Sequence, residues 1–552
     1  MESPPLRFFA SPWMARGAVM ILILVHFTLG VTSAWIKSPT VDEYTYIATG
    51  YLYVTTGDFR LDRTHPPLIR LLIGWPLRFI PITLPPLQME KWDTPDSYFL
   101  GYRLGWEMLL GGANDWRKIL FLARLPILLL SCGLAGLVYL WGKKLYGTAG
   151  GLTSLFLYAF CPNLLAHGRL ATMDLGSCFF MCLALFMLYR YTERQTTLRF
   201  LLAGMALGGA LAAKVTALLL IPVYVMALVW MQASATGSLR RIPLVPFAKN
   251  TFAMGLIAWL TLLAVYGYPF KPFYYLDTLQ NVLGKSFTSG RGGEAVPGMP
   301  HRNYAFYLFG RYSTEGWPYY YLAAAAVKTP LPVLLGLLLC LSYGSRRWRG
   351  LPDGLLVGTM VLLHAAAAFN RVNIGLRHVL PFYPMLYLYL GRLGELSGSR
   401  IGRRTLVLLA AWYILGNLWI YPDYLAYFNE AVGGPRQGHR YLDDSNLDWG
   451  QDFARLAAIQ DAYPNEPLII ASEWYIQPGV FGLRARRMRE EEIATPPSGI
   501  VAVSKHYAVR HRIFPRSPSY FNWLEQYEPV AEVGHSIWIF RFGPSSSHQN
   551  SM

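Results

Sequence analysis

Apolar runs suited to crossing a lipid bilayer recur along most of this chain, at residues 18–35, 119–141, 152–165, 171–191, 200–213, 215–231, 251–268, 319–341, 355–368, 379–390 and 406–419. In hydrocarbon a backbone must satisfy its own hydrogen bonds, so such runs fold as helices. By the ~20-residue criterion they make about eleven transmembrane helices, several of them short. The division on either side of Lys214 is the least sharply marked. Only 15% of the 552 residues are charged and 53% are hydrophobic. About a quarter of an ordinary soluble chain is charged. The run at 18–35 lacks a small-residue cleavage site, so it reads as a first membrane helix and not as a cleaved signal.

The formal net charge is +17. In a soluble chain this would point to nucleic acid. Here the cations fall in alternate short loops: Lys143 and Lys144; Arg190, Arg194 and Arg199; Arg240, Arg241 and Lys249; Arg346, Arg347 and Arg349; Arg392, Arg400, Arg403 and Arg404. Arg7 and Arg16 precede the first helix. The positive-inside rule makes that face cytoplasmic, with the N-terminus inside, and excludes a nucleic-acid partner as the reason for the charge. The opposite face receives residues 36–118, 269–318, the turns at 167–170 and 370–378, and everything from 421 onward.

The chain then divides into a membrane part, 1–420, an extracytoplasmic part, 421–543, and a disordered tail, 544–552. Within 421–543 the stretches 468–476, 499–504 and 535–542 read as strands. Residues 448–463 read as a helix with acids in its first turn. Together they predict a small α/β domain. Residues 68–80 form either an interfacial amphipathic helix or a packed loop helix, broken by Pro76. The five cysteines lie in or beside apolar segments, so neither a disulfide framework nor a zinc cluster is expected.

Polar groups next to membrane helices are costly unless they are used. Asp42 and Glu43 follow the first helix, and adjacent side chains point in different directions, so one of them is the better candidate for a general base. Either serves equally as a helix cap. His65-Pro66-Pro67 is a rigid extended turn that can return His65 and Arg63 toward Asp42. His167 and Arg169 can hold a phosphate at the outer face, or Arg169 can be a structural partner of Asp174. Lys328 lies about ten residues beyond Pro318, roughly 15 Å along a helix, where an anion is the favoured partner. Arg371, Arg377 and His378 open a helix where cations oppose the dipole, which an anionic ligand or lipid headgroups would relieve. Residues 444–455 space Asp444, Asn446 and Asp448 like a calcium loop but carry Trp449 and Arg455 where that loop needs glycine and glutamate.

At these residues the chain resembles the polyprenyl-phosphate-dependent glycosyltransferases of the GT-C fold, most closely the protein O-mannosyltransferase-like branch, family 39. The resemblance rests on Asp42-Glu43, His65–Leu68, 163–174, 316–332, 377–384 and 445–452, and spans nearly the whole chain. It implies an inverting transferase of the cell membrane with its site on the external face. Asp42, with Glu43 beside it, takes the catalytic acid's place. Arg169, Lys328, Arg371 and Arg377 receive the donor phosphate, and His65, Asp174 and His378 support them. The implied partners are a polyprenyl-phosphate-linked sugar donor, membrane lipid and an extracytoplasmic acceptor, with no metal or other cofactor. The chain lacks the MIR repeats of eukaryotic mannosyltransferases, which leaves the acceptor open. A transporter or flippase of lipid-linked sugars shares the helices and buried charge, but often shows inverted repeats, and none is visible. An envelope scaffold that binds through the C-terminal region is a third reading.

Overall fold

The computed structural model describes residues 11–92, 97–267, 274–280, 305–344, 348–474, 476–513 and 522–543. The expected tail at 544–552, Arg7, Arg346, Arg347 and residues 268–273 and 281–304 lie outside the described residues.

The membrane part is helical. Helix α1 is Pro12–Ile36, α2 Val41–Thr56, α3 Leu68–Gly74, α4 Ser97–Leu110 and α5 Trp116–Ala159. Then come α6 Pro162–Gly168, α7 Met173–Glu193, α8 Thr197–Ala213, α9 Leu220–Thr236 and α10 Leu244–Tyr266. The series closes with α11 Tyr320–Lys328, α12 Leu331–Gly344, α13 Leu351–Ala368, α14 Phe382–Leu390 and α15 Arg400–Ile420.

Among the described residues six helices are long and apolar enough to cross a membrane, or seven if α11 and α12, bent by 109°, make one span. The chain is thus a multi-pass membrane protein, but length and composition do not reproduce the expected eleven crossings. The reasons are local. The runs at 119–141 and 152–165 are the limbs of the 44-residue α5, which breaks at Tyr146 and Gly147 beside Lys143 and Lys144. Helix α8 is short, α14 has 9 residues between 3₁₀ turns, and α15 opens on Arg400, Arg403 and Arg404. Lipid-facing character is carried by exposed apolar side chains such as Met20, Ile21 and Leu24 on α1, Phe252 and Leu260 on α10, and Val407 and Leu408 on α15.

The segment between α1 and α5 packs tightly. A Cβ on Gly50 of α2 would stand 2.5 Å from the Arg70 carbonyl oxygen of α3, and one on Gly105 of α4 would stand 1.8 Å from the Tyr44 oxygen of α2. Only glycine allows these three backbones to touch. The stretch expected at 68–80 is α3 followed by a 3₁₀ turn, Trp75–Phe79, with Pro76 near its start. Arg70 is buried there, while Trp75 and Phe79 are exposed.

Beyond α15 the chain builds a five-stranded mixed sheet from β3 Leu468–Ala471, β4 Ala485–Arg487, β5 Gly499–Ser504, β6 Ala531–Val533 and β7 Ile537–Phe542, in the order β4-β3-β5-β7-β6. A two-stranded hairpin, β1 Phe306–Leu308 with β2 Arg311–Ser313, lies between α10 and α11. The helix expected at 448–463 begins only at Leu456 and ends at Ala462. Residues 442–452 are instead a buried loop, with Asp444 at φ 59° and Gly450 at φ 89°. Its acids are taken up by distant partners, Asp443 by His506 and Arg510, Asp448 by Ser504, and Asp452 by Lys37 and Ser536, and so do not cap a helix.

Candidate active site

Asp42 stands in the first turn of α2, where a capping arrangement and two acids favour helix initiation. Its neighbour is already committed. Glu43 is fully buried and its Oε1 accepts from Arg124 Nε (2.8 Å) and the Ala171 N–H (2.8 Å). Its Oε2 accepts from Arg124 Nη2 (2.7 Å) and from the N–H and hydroxyl of Thr40. Both oxygens are thus engaged by protein donors, which tie α2 to α5 and to the turn before α7.

Asp42 turns the other way. Its Oδ2 accepts one hydrogen bond, from Arg377 Nη1 at 2.6 Å. The same Nη1 is 3.7 Å from Asp174 Oδ2, and Lys214 Nζ donates to Asp174 Oδ1 at 2.6 Å. Two acids and two cations from α2, α7, the end of α8 and the turn before α14 thus form one buried chain. The Arg377 guanidinium carbon is 4.2 Å from the centre of the Trp449 ring.

His65 reaches this cluster because the turn before it is nailed down. Arg70 donates to Tyr53, to the Asp62 carbonyl and to Asp62 Oδ2 (2.8 Å), and Asp62 in turn holds Thr64. The His65 ring lies 6.0 Å from that of Tyr46 and feels Lys214 and Asp174. Burial holds its imidazole well below the usual range, and Lys214 and Arg70 add to this, so it is neutral. His378 stands beside Tyr321, with ring centres 6.1 Å apart. Arg63 points elsewhere, to Asp277 at 3.0 Å and over Tyr274 at 4.4 Å.

The remaining cations differ. Arg169 is fully buried, and Nε, Nη1 and Nη2 all lack a hydrogen-bond partner. Lys328 ends α11 at the break before Pro330, and so is not at mid-helix. Its Nζ donates to the carbonyls of Leu425 (2.8 Å) and Asn446 (2.5 Å) and lies 4.7 Å from the Phe428 ring centre, in place of the expected anion. Arg371 is half exposed and pairs with Glu315 at 2.5 Å, away from the Asp42 chain of contacts. Sequence reading missed Lys214 and Trp449. The first carries the signal of a cation between apolar runs, the same signal that marked Lys328. Among the described residues no group of three or more His, Cys, Asp or Glu side chains could hold a metal ion.

Residues 108–263 match the model of the family described as dolichyl-phosphate-mannose-protein mannosyltransferase. The match covers just over a quarter of the chain, and over that stretch it agrees with the resemblance to the protein O-mannosyltransferase-like enzymes. No curated protein matches the chain. Among solved structures, ArnT from Cupriavidus metallidurans bound to undecaprenyl phosphate is 12% identical with a TM-score of 0.49, covering 95% of this chain and 97% of that one. The Archaeoglobus fulgidus oligosaccharyltransferase is 12% identical with a TM-score of 0.48, covering 87% and 65%. The S. cerevisiae Pmt1-Pmt2 complex bound to the sugar donor is 18% identical with a TM-score of 0.33, covering 54% and 39%.

Proposed function

We propose that this chain transfers a sugar, with inversion, from a polyprenyl-phosphate carrier to an acceptor on the extracytoplasmic side of the cell membrane. One observation carries the reading. Around the Asp42–Arg377 pair, buried polar atoms stand without partners: His65 Nδ1, His167 Nδ1, His378 Nε2 and Arg377 Nε. A buried polar atom left unpaired costs about 1–3 kcal/mol, so such a group makes sense as the lining of a polar, anionic guest's site.

In this mechanism the acceptor's hydroxyl or amine attacks the anomeric carbon from the face opposite the phosphate. Asp42 orients that group and takes its proton as the new bond forms. The bond from the anomeric carbon to the phosphate oxygen breaks, and the electron pair leaves with the polyprenyl phosphate. Arg377 and Lys214 stabilise the growing charge on that phosphate, with His65, His167 and His378 as neutral hydrogen-bonding groups. Asp174 spaces the two cations. Arg169 is a reserve of positive charge with free donors. Lys328, held by two carbonyls, raises the local potential without contact. The phosphate role expected of Arg371 is not carried over, since Glu315 occupies it. Asp42 and the cations supply the catalysis on this reading, and chelators leave it unaffected.

The test is a purified assay with radiolabelled polyprenyl-phosphate sugar. Transfer by the parent and its loss in Asp42→Asn, with folding retained, support the reading. Lipid movement without transfer supports a flippase instead.

A further inference from the structure

The C-terminal loop 443–452 is hydrogen-bonded to the backbone just before Asp42 and just before Arg377. On one side Val41 N–H donates to the Trp449 carbonyl (3.1 Å) and Ser38 N–H to the Gln451 carbonyl (2.9 Å), which fixes the entry to α2. On the other side Leu376 N–H donates to Asn446 Oδ1 (2.9 Å) and Ser445 Oγ donates to the Ile374 carbonyl (2.9 Å), which fixes the turn that carries Arg377. The loop itself is anchored in the sheet region. Asp443 accepts from His506 Nδ1 (2.6 Å) and Arg510 Nε (2.7 Å), and Asp448 accepts from the Ser504 hydroxyl.

Between the two staples the Trp449 indole, 2% exposed, lies against the Arg377 guanidinium at 4.2 Å. It belongs to a buried apolar cluster with Leu165, Ala166, Leu170 and Tyr424. An arginine free to turn beside a carboxylate tends to pair through two parallel hydrogen bonds. Here there is one, Nη1 to Oδ2, and Nε is left unpaired. A cation–π contact in a dry site is strong enough to choose between such orientations.

We infer that Trp449 is a positioning residue for the transfer reaction, and that the C-terminal region serves the site through it. The indole fixes the plane of the guanidinium. Asp42 thereby keeps Oδ1 for the acceptor's proton, and Arg377 keeps Nε–H for the leaving phosphate. This rests on the transferase reading above. Without the indole the guanidinium rotates into a two-bond pair with Asp42, and each neutralises the other.

The experiment compares the full-length parent with Trp449→Leu and Trp449→Phe, purified in lipid nanodiscs, using a radiolabelled undecaprenyl-phosphate sugar that the parent consumes. Trp449→Leu lowers kcat roughly ten-fold or more, with donor KM within about two-fold, and Trp449→Phe, which keeps an aromatic face, recovers most of the loss. Equal kcat in parent and Trp449→Leu overturns the inference. So does a Phe variant as poor as the Leu variant. Electron cryo-microscopy of Trp449→Phe and Trp449→Leu reads the same point without turnover: two-bond Asp42–Arg377 pairing in the Leu variant supports the inference, and an unchanged single bond refutes it. A parent that consumes no donor defeats the transferase reading and leaves this structural readout to decide the role of Trp449.

Discussion

Arg377 and Asp42 are 335 residues apart in the chain and meet through a single hydrogen bond of 2.6 Å. Everything that makes the bond possible is inherited from packing elsewhere: glycines that let α2 lie on α3 and α4, Glu43 locked to Arg124, and a loop from the C-terminal region closing over the pair.

The guanidinium is not replaceable by an ammonium. Arg377 uses one edge for Asp42, approaches Asp174 with the same nitrogen, and lays its face on Trp449. Lysine supplies a point charge with none of this geometry. Arg377→Lys is expected to lower kcat about 100-fold while the protein still inserts and purifies. Steady-state turnover of a polyprenyl-phosphate sugar measures it.

Adjacent acids separate into two roles. Glu43→Gln strips a charge from a fully buried pair with Arg124 and costs about 3–5 kcal/mol of stability, seen as early thermal unfolding in detergent. Asp42→Asn leaves that pair intact and is expected to unfold near the parent's temperature while losing turnover. Equal destabilisation by both changes would contradict the assignment.

Much of this was legible in the sequence and some was not. Each expected apolar run is helical at least in part, because in hydrocarbon a helix is how a single segment satisfies its own backbone hydrogen bonds. Asp42 and Asp174 were marked by the cost of acids beside lipid, His65 by its rigid proline turn, and Arg377 and His378 by cations that oppose a helix dipole. These signals do not say which neighbour meets which. Glu43 and Asp42 look alike in one dimension, and only the placement of Arg124 tells them apart. Lys328 looked deep in a helix because the 109° break after it cannot be read from Pro330 and Pro332 alone. Trp449 lay within the 445–452 motif but was not read as a site residue, since the role inferred for it comes from a loop stapled to two distant turns.

Gly105→Ala tests the seat of α2. The added Cβ would fall 1.8 Å from the Tyr44 oxygen, a backbone atom that cannot step aside. The helix must shift, at a cost of about 1–3 kcal/mol. Expected together are a lower unfolding temperature and reduced turnover, because the moved backbone includes Asp42's own helix.

The C-terminal sheet carries its own acid limb. Burial favours the protonated form of Glu532, but the His535 hydrogen bond and the Lys505 charge outweigh it and hold its carboxyl down to about 2. A folded-state value below the ordinary one stabilises the protein above the ordinary value of 4.5, and the stabilisation is lost as the pH falls toward about 2. Hydrogen exchange of β6 and β7 in the full-length protein should quicken through that window. In Glu532→Gln the window should flatten.

The central claim is that a sugar leaves a polyprenyl phosphate at Asp42 and Arg377. Its most direct test incubates the purified parent, in nanodiscs, with radiolabelled undecaprenyl-phosphate hexoses and pentoses and a cell-envelope extract as the acceptor source. The account predicts that label from at least one donor moves from lipid to acceptor, and that Asp42→Asn, folded and still binding undecaprenyl phosphate, moves none. Label that stays on the lipid with every donor, or an Asp42→Asn variant as active as the parent, would contradict it.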